Sequence, residues 1–476
     1  MNKEILTQVS PTILPWRVKI LYGAGGFAKA LLAVTMAAFM IFFYVDVCGI
    51  DSGVASTIIL ISKIWDIIND PMMGAIVDKV KSKEGKCRFW LKYMSVPAIV
   101  LVALCFYMPD ISQNGKFIWV AVTYLLQGMV STSLLLPLNT MISRLSSDPK
   151  QRVNLSQADG IAQMISQWMV VSLTMRFVGI LGQGDMQKGF LYVGIIYAII
   201  YGICHLIVYF ATRGYEPVEM LAENYIEPPK QTIGEVLKDL ALSLTAFYKN
   251  KALLFCGAVA FLYTFGIAVE NSAMPFYFQY CKPESEGLYE IYGTLSMPVA
   301  ILIYLFLNPI VKKFGNAKTS MIGTAMTFAG YMLGFVTKDA NTVIMMTRWL
   351  LEGIGTGLIG AVILLCVFDS KTYGVWKTGN EDSEAILVAS YSLSYKIGMA
   401  VGGPVLGYLL MIVPYVPGVE TQAESVKNLF FYESTLIPAI IYVVTFVFAV
   451  LVWKYEKKIP QMQKEIEERK KSAAAK

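Results

Sequence analysis

One histidine serves the whole chain of 476 residues. That residue, His205, lies in an apolar run, where a packed side chain is expected. A nucleophile–histidine pair is therefore excluded almost everywhere, and no Gly-rich phosphate loop or cluster of metal ligands replaces it. The seven cysteines (Cys48, Cys87, Cys105, Cys204, Cys256, Cys281 and Cys366) are an odd number and form no CxxC pair. They read as packing residues, not as disulfides or zinc ligands. Charge is scarce too. Charged residues make up 16% of the chain, against about 25% in an ordinary soluble domain. The net charge of +6 does not indicate nucleic acid, because the basic residues fall in loops between apolar runs. No cleavable signal peptide is read at the polar N-terminus. These absences exclude an enzyme and any cofactor.

What is present is hydrophobic length. The composition is 56% hydrophobic and the mean hydropathy is +0.55. Apolar helices are predicted at 18–47, 53–78, 89–109, 116–143, 155–180, 189–212, 252–280, 288–311, 317–337, 341–369, 384–413 and 430–453. Each is long enough to cross a bilayer. The expected fold is an all-α polytopic membrane protein of twelve spans in two six-helix bundles. Residues 1–212 form the first bundle and 252–453 the second. Between them, 213–251 is a central loop with an amphipathic stretch from Thr232 to Tyr248, suited to a membrane surface. Residues 454–476 are a charged, solvated tail without chemistry of its own. By count, about 30 of the 40 Lys+Arg residues lie on one side and about 6 on the other. Both termini are therefore expected in the cytoplasm of a plasma (inner) membrane protein.

Four basic residues remain inside spans: Lys29, Lys63, Arg348 and Lys396. Lys63 belongs to the run Lys63-Ile64-Trp65-Asp66-Ile67-Ile68-Asn69-Asp70-Pro71. Asp66 and Asp70 are four residues apart, so a helix puts them on one face, with Lys63 a turn earlier. An ionised group at mid-bilayer costs about 3 kcal/mol or more, so it must face protein or a water-filled cavity. The pattern points to a cation site in a transport path. An ion-pair cluster that only holds helices together is the alternative, and one lysine cannot neutralise two carboxylates.

At this point the chain resembles the glycoside-pentoside-hexuronide:cation symporters, the melibiose permease group of the major facilitator superfamily. Tyr22-Gly23-Ala24-Gly25 with Lys29 resembles the family's opening helix. Trp65-Asp66 through Asn69-Asp70-Pro71 to Gly74 is very close to its second-helix signature, which is highly specific. Asp78 with Gly85-Lys86, Asp148-Pro149-Lys150-Gln151-Arg152, Tyr373-Gly374-Val375-Trp376-Lys377-Thr378-Gly379 and Lys396-Ile397-Gly398 follow in the family's order. The resemblance covers nearly the whole length. It implies that Asp66, Asn69, Asp70 and Thr132 hold the coupling cation, and that Lys396 links cation and sugar occupancy. Oxygen ligands of this kind suit Na+. A proton is the alternative, on the same carboxylates. A monomer is the family expectation.

The sugar-binding positions depart from the family. Ala30 and Leu135 stand where it has aspartates, Asn139 where it has a tryptophan, and Asp159 or Gly160 near an arginine position. Glu381 stands at another arginine position, after the span-10 motif. New polar groups appear instead. Asp159, Gln163 and Gln167 make one stripe, and Glu270 and Asn271 lie mid-span. Tyr391 and Tyr395 are aromatic candidates. Arg348 and Glu352, at i and i+4, read as a structural pair. The candidate substrate set is thus Lys29, Lys63, Asn139, Asp159, Gln163, Glu270, Tyr391, Tyr395 and Lys396. The expected function is alternating-access symport of a sugar or glycoside with Na+ or H+. A lysolipid carrier on the same fold, or a non-transporting sugar sensor, is the alternative.

Overall fold

The computed structural model describes residues 13–80, 82–146, 148–217, 245, 247, 249–282, 287–378 and 384–474. Most of the Thr232–Tyr248 stretch and Glu381 lie outside the described residues. The chain divides into two compact units, Met1–Gly234 and Glu235–Lys476.

In the first unit α1 (Trp16–Phe42) runs on through a π-helical turn, Phe43–Val47. It is followed by α2 (Ser52–Lys79), α3 (Lys86–Tyr93), α4 (Ser95–Cys105), α5 (Gln113–Leu145), α6 (Pro149–Gly182) and α7 (Met186–Ala211). The second unit contains α8 (Lys251–Cys281), α9 (Leu288–Phe314), α10 (Asn316–Thr337), α11 (Thr342–Thr378), α12 (Glu384–Gly402), α13 (Val405–Leu410), α14 (Glu424–Ser434), α15 (Leu436–Glu456) and α16 (Ile459–Ala474). Asp51, Ser112, Asp148, Asp185 and Asn250 start their helices by accepting a backbone N–H, as short polar side chains do at that position.

Every predicted span coincides with helix, but three of them are broken. The third becomes α3 and α4, bent by 44°. Pro97 has no N–H to give the carbonyl of Tyr93, where α3 ends. The eleventh stops at Gly402 and resumes as α13 after Pro404. The twelfth breaks at Thr435, four residues after the carbonyl of Phe431 and just ahead of Pro438. Among the described residues, eight helices are individually long and apolar enough to cross a membrane, or nine with the bent pair. Helix α2 is not one of them, and it carries Lys63, Asp66 and Asp70.

The two units repeat one packing scheme. In the first, α1 packs on α6 and α7, α4 on α7, and α2 on α5. In the second, α8 packs on α12 and α15, α10 on α15, and α9 on α11. Numbered by span, the pairs 1–5, 1–6, 3–6 and 2–4 recur six spans later. Internal repeats of this kind are common in secondary transporters. Cys48, Cys87, Cys105, Cys256 and Cys366 are buried, and so is His205, whose Nδ1 lies 2.8 Å from the Tyr201 carbonyl.

The tail is more than solvated charge. Helix α16 packs on α11. Trp376 Nε1 donates to Glu465 Oε2 at 2.6 Å, and Arg469 Nη1 donates to the Trp376 carbonyl at 2.8 Å. The indole donation holds the Glu465 carboxyl below its ordinary range.

Candidate functional site

The polar face of α2 lies against a face of α5 that carries Tyr124, Gly128 and Thr132 four residues apart. Thr132 Oγ1 donates to Asp70 Oδ1 at 3.1 Å. Gly128 lies under Asp66, whose Oδ1 would be 2.8 Å from a Cβ at that position. Lys63 Nζ pairs with Asp66 Oδ2 at 3.4 Å. Residue numbers rise together along the two helices, so α2 and α5 run parallel, as two even-numbered spans must. Asn69 is 1% exposed, and its Nδ2 has no hydrogen-bond acceptor among the described residues. A buried amide nitrogen without an acceptor is costly. Turned over, the same amide offers an oxygen to a cation. Two carboxylates, an amide and a hydroxyl thus gather on one seam, a donor set that suits a hard monovalent cation.

The repeat supplies an internal control. In the second unit the equivalent seam joins α9 to α11, also in parallel. There Val299 lies over Gly353 and Ile303 over Gly357. Both belong to an apolar cluster with Leu358. Packing alone is satisfied by valine and isoleucine at this seam. The charges on α2 therefore exceed what helix packing requires.

A second polar cluster lies on α1, α5 and α6. Lys29 Nζ pairs with Asp159 Oδ2 at 2.7 Å and donates to Asn139 Oδ1 at 3.1 Å. Gln163 Nε2 donates to the same Asp159 oxygen at 2.7 Å. Gly26 makes this approach possible. A Cβ there would stand 2.3 Å from the Asp159 carbonyl oxygen and 2.8 Å from its Oδ1. Gly26→Ala is expected to push α6 off α1 and lower cargo uptake about tenfold, an overpacking cost of about 1–3 kcal/mol. Gly160→Ala, into open space, is expected to leave uptake unchanged. Uptake by vesicles matched for protein content checks both, and equal activity would remove the α1–α6 contact from the site.

Lys63, which the sequence reading put with the substrate and coupling groups, is on the α2 seam. The remaining candidates belong to the second unit. Glu270 on α8 is buried and accepts from Tyr331 Oη at 2.5 Å. Lys396 on α12 is half-buried. The rings of Tyr391 and Tyr395 are 6.2 Å apart. Arg348 does pair with Glu352, at 2.7 Å, and it also pairs with Asp339 at 2.7 Å. Sequence reasoning missed Asp339, which lies in a short loop where no helical period marks it. It also missed Gly128, although the four-residue spacing to Thr132 was visible.

The family model described as MFS/sugar transport protein matches residues 21–456. The isoprimeverose transporter of Lactiplantibacillus pentosus is 25% identical over 465 residues, covering 97% of this chain and 93% of that protein. The glucuronide carrier protein homolog of Escherichia coli (strain K12) is 25% identical over 465 residues, covering 96% and 97%. The inner membrane symporter YicJ of the same strain is 24% identical over 455 residues, covering 92% and 91%. A crystal structure of the nucleoside transporter NupG shares the fold, with a TM-score of 0.59 at 16% identity, covering 90% of this chain and 98% of that one. The protein is therefore a multi-pass membrane transporter and not an enzyme, and it belongs to the MFS/sugar transport family, of the glycoside-pentoside-hexuronide type.

Proposed function

We propose that the chain is a sugar or glycoside:cation symporter of the plasma membrane, with both termini cytoplasmic, working by alternating access. One observation carries this reading: the α2–α5 seam is charged where the described contacts of its repeat in the second unit, Val299 on Gly353 and Ile303 on Gly357, are apolar. Asp66, Asn69, Asp70 and Thr132 are the proposed cation ligands. Lys63, Asp66 and Asp70 sum to −1 when all are ionised, so one monovalent cation completes neutrality. Sodium is the proposed ion, because a buried amide ligates Na+ but contributes little to carrying H+. Lys29, Asn139, Asp159 and Gln163 are the proposed sugar groups in the first unit. Names among the relatives, an isoprimeverose transporter and a glucuronide carrier homolog, support a glycoside cargo. Lys396 is the proposed coupling residue.

The test is uptake into proteoliposomes across a panel of glycosides, pentosides and hexuronides, with and without a sodium gradient at fixed pH. Sodium-stimulated uptake of one class is the expected result. Uptake driven only by a pH step would replace the ion and keep the seam. No uptake of any sugar by folded protein would overturn the reading.

A further inference from the structure

We propose that the Lys29–Asp159 pair sets the charge of the cargo, so that the site admits an uncharged glycoside and rejects a uronide. This deepens the sugar-transport reading and rests on it. Lys29 has three N–H donors. One goes to Asp159 Oδ2 and one to Asn139 Oδ1. Gln163 spends one of its two amide N–H groups on Asp159. Among the described residues a bound molecule is left with one ammonium N–H, the Asn139 amide N–H pair, and the second N–H and the oxygen of the Gln163 amide. Asn139 is exposed, and Lys29 and Gln163 are part-buried. These are donors and an acceptor in the proportions that vicinal hydroxyls need.

The charge balance points the same way. Lys29 and Asp159 cancel each other at 2.7 Å, with side chains only 15% and 9% exposed. A cargo carboxylate has two ways to reach Lys29, and both are costly. It can displace Asp159, leaving that carboxylate buried without its cation. Otherwise it lies beside Asp159, as one like charge against another. Helix packing restricts the first route, because Asp159 Oδ1 already lies against Gly26. A neutral hydroxyl meets neither cost. Asp159 is therefore the specificity-determining residue, and it acts by occupying the cation that a uronide would use.

The test is equilibrium binding to purified protein at saturating sodium. The probes are 4-nitrophenyl glycosides matched except at C6: glucoside against glucuronide and galactoside against galacturonide, in both anomers. The parent protein is expected to prefer the neutral member of the pair it binds by about tenfold or more, the scale of one hydrogen bond to a charged group. Asp159→Asn frees the Lys29 charge, and the preference is expected to move toward the uronide by about tenfold. The double variant Lys29→Gln/Asp159→Asn is neutral again and is expected to return to the neutral sugar. It reads the same point if the single variant does not fold. A parent that binds the uronide as tightly as the neutral sugar overturns the proposal while the transport reading stands. So does an unchanged ratio in folded Asp159→Asn, or a double variant that prefers uronide. If the parent binds no member of any pair, this proposal is overturned for these sugars, and the sugar reading is decided separately by the uptake panel of glycosides, pentosides and hexuronides.

Discussion

In vesicles carrying Asp70→Asn, cargo is expected to equilibrate but not to accumulate. Asparagine has the shape of aspartate and can still accept from Thr132, which lies 3.1 Å away. What it loses is the charge that makes the seam sum to −1. A neutral seam gains nothing from a monovalent cation, so an imposed gradient has no free energy to pass to the cargo. The accumulation ratio should fall to one. The cation should also cease to raise cargo affinity, an effect of about 5- to 150-fold when coupling is intact. Exchange of cargo for cargo needs no net cation movement and should continue. Asp66→Asn is expected to act in the same way, with Lys63 losing its nearest carboxylate and balanced by Asp70 alone. Thr132→Ala removes only a neutral oxygen. It should raise the sodium concentration needed for half-maximal uptake by about fivefold, near the worth of one ordinary hydrogen bond. Uptake against a gradient, measured beside exchange in the same vesicles, separates these outcomes. Accumulation that survives in both aspartate variants would leave the seam as a helix brace.

The α2 seam was legible because it breaks a rule. Three charges in an apolar run have no cheap explanation, and their spacing alone put them on one face. The Lys29 cluster was legible only in parts. Each member stood out as polar in a span, but Lys29 and Asp159 are 130 residues apart. Their meeting depends on how closely α1 and α6 approach at Gly26, and a single sequence does not report helix approach. The glycines of spans 10 and 11 show the same limit. Gly353, Gly355, Gly357 and Gly360 in span 10, and Gly398, Gly402, Gly403 and Gly407 in span 11, suit either close helix packing or hinge bending, and the sequence does not choose. In the structure a Cβ on Gly355 would be 2.4 Å from the Gly323 carbonyl oxygen, and one on Gly398 would be 2.5 Å from that of Phe261. Both are sites of close packing. The broken spans had a visible signal in Pro97, Pro404 and Pro438, but hydropathy windows average over such residues.

Arg348→Met is expected to be the most destabilising single substitution in the second unit, and the reason begins with a proline. Pro438 has no N–H, so the carbonyl of Ser434, four residues earlier, has no helical donor. Arg348 Nη2 donates to that carbonyl. Its other nitrogens serve carboxylates: Nη1 to Asp339 Oδ2 and Nε to Glu352 Oε1, both at 2.7 Å. Tyr277 Oη also donates to Asp339 Oδ2, at 2.6 Å, and Lys282 Nζ donates to the Asp339 carbonyl at 3.0 Å. The arginine and Asp339 are 0% exposed and Glu352 is 4% exposed. Glycines on α10 make room for this: a Cβ on Gly334 would be 2.6 Å from Arg348 Cδ, and one on Gly330 would be 2.8 Å from Glu352 Cγ. A single guanidinium thus joins α11 to the α10–α11 loop and to the break between α14 and α15. Removing it leaves the Glu352 carboxylate and the Ser434 carbonyl buried without the arginine donor, and Asp339 buried with its charge unpaired and only the Tyr277 hydroxyl on its Oδ2 among the described residues. Breaking a buried pair in this way costs about 3–5 kcal/mol. Loss of most folded protein, read by size exclusion after a heat step in detergent, is the expected result. Arg348→Met combined with Glu352→Gln should cost less than the two single changes added together, because the second substitution removes one of the stranded charges. Simple additivity, or an Arg348→Met protein as heat-stable as its parent, would show that the network is not what holds these helices in place.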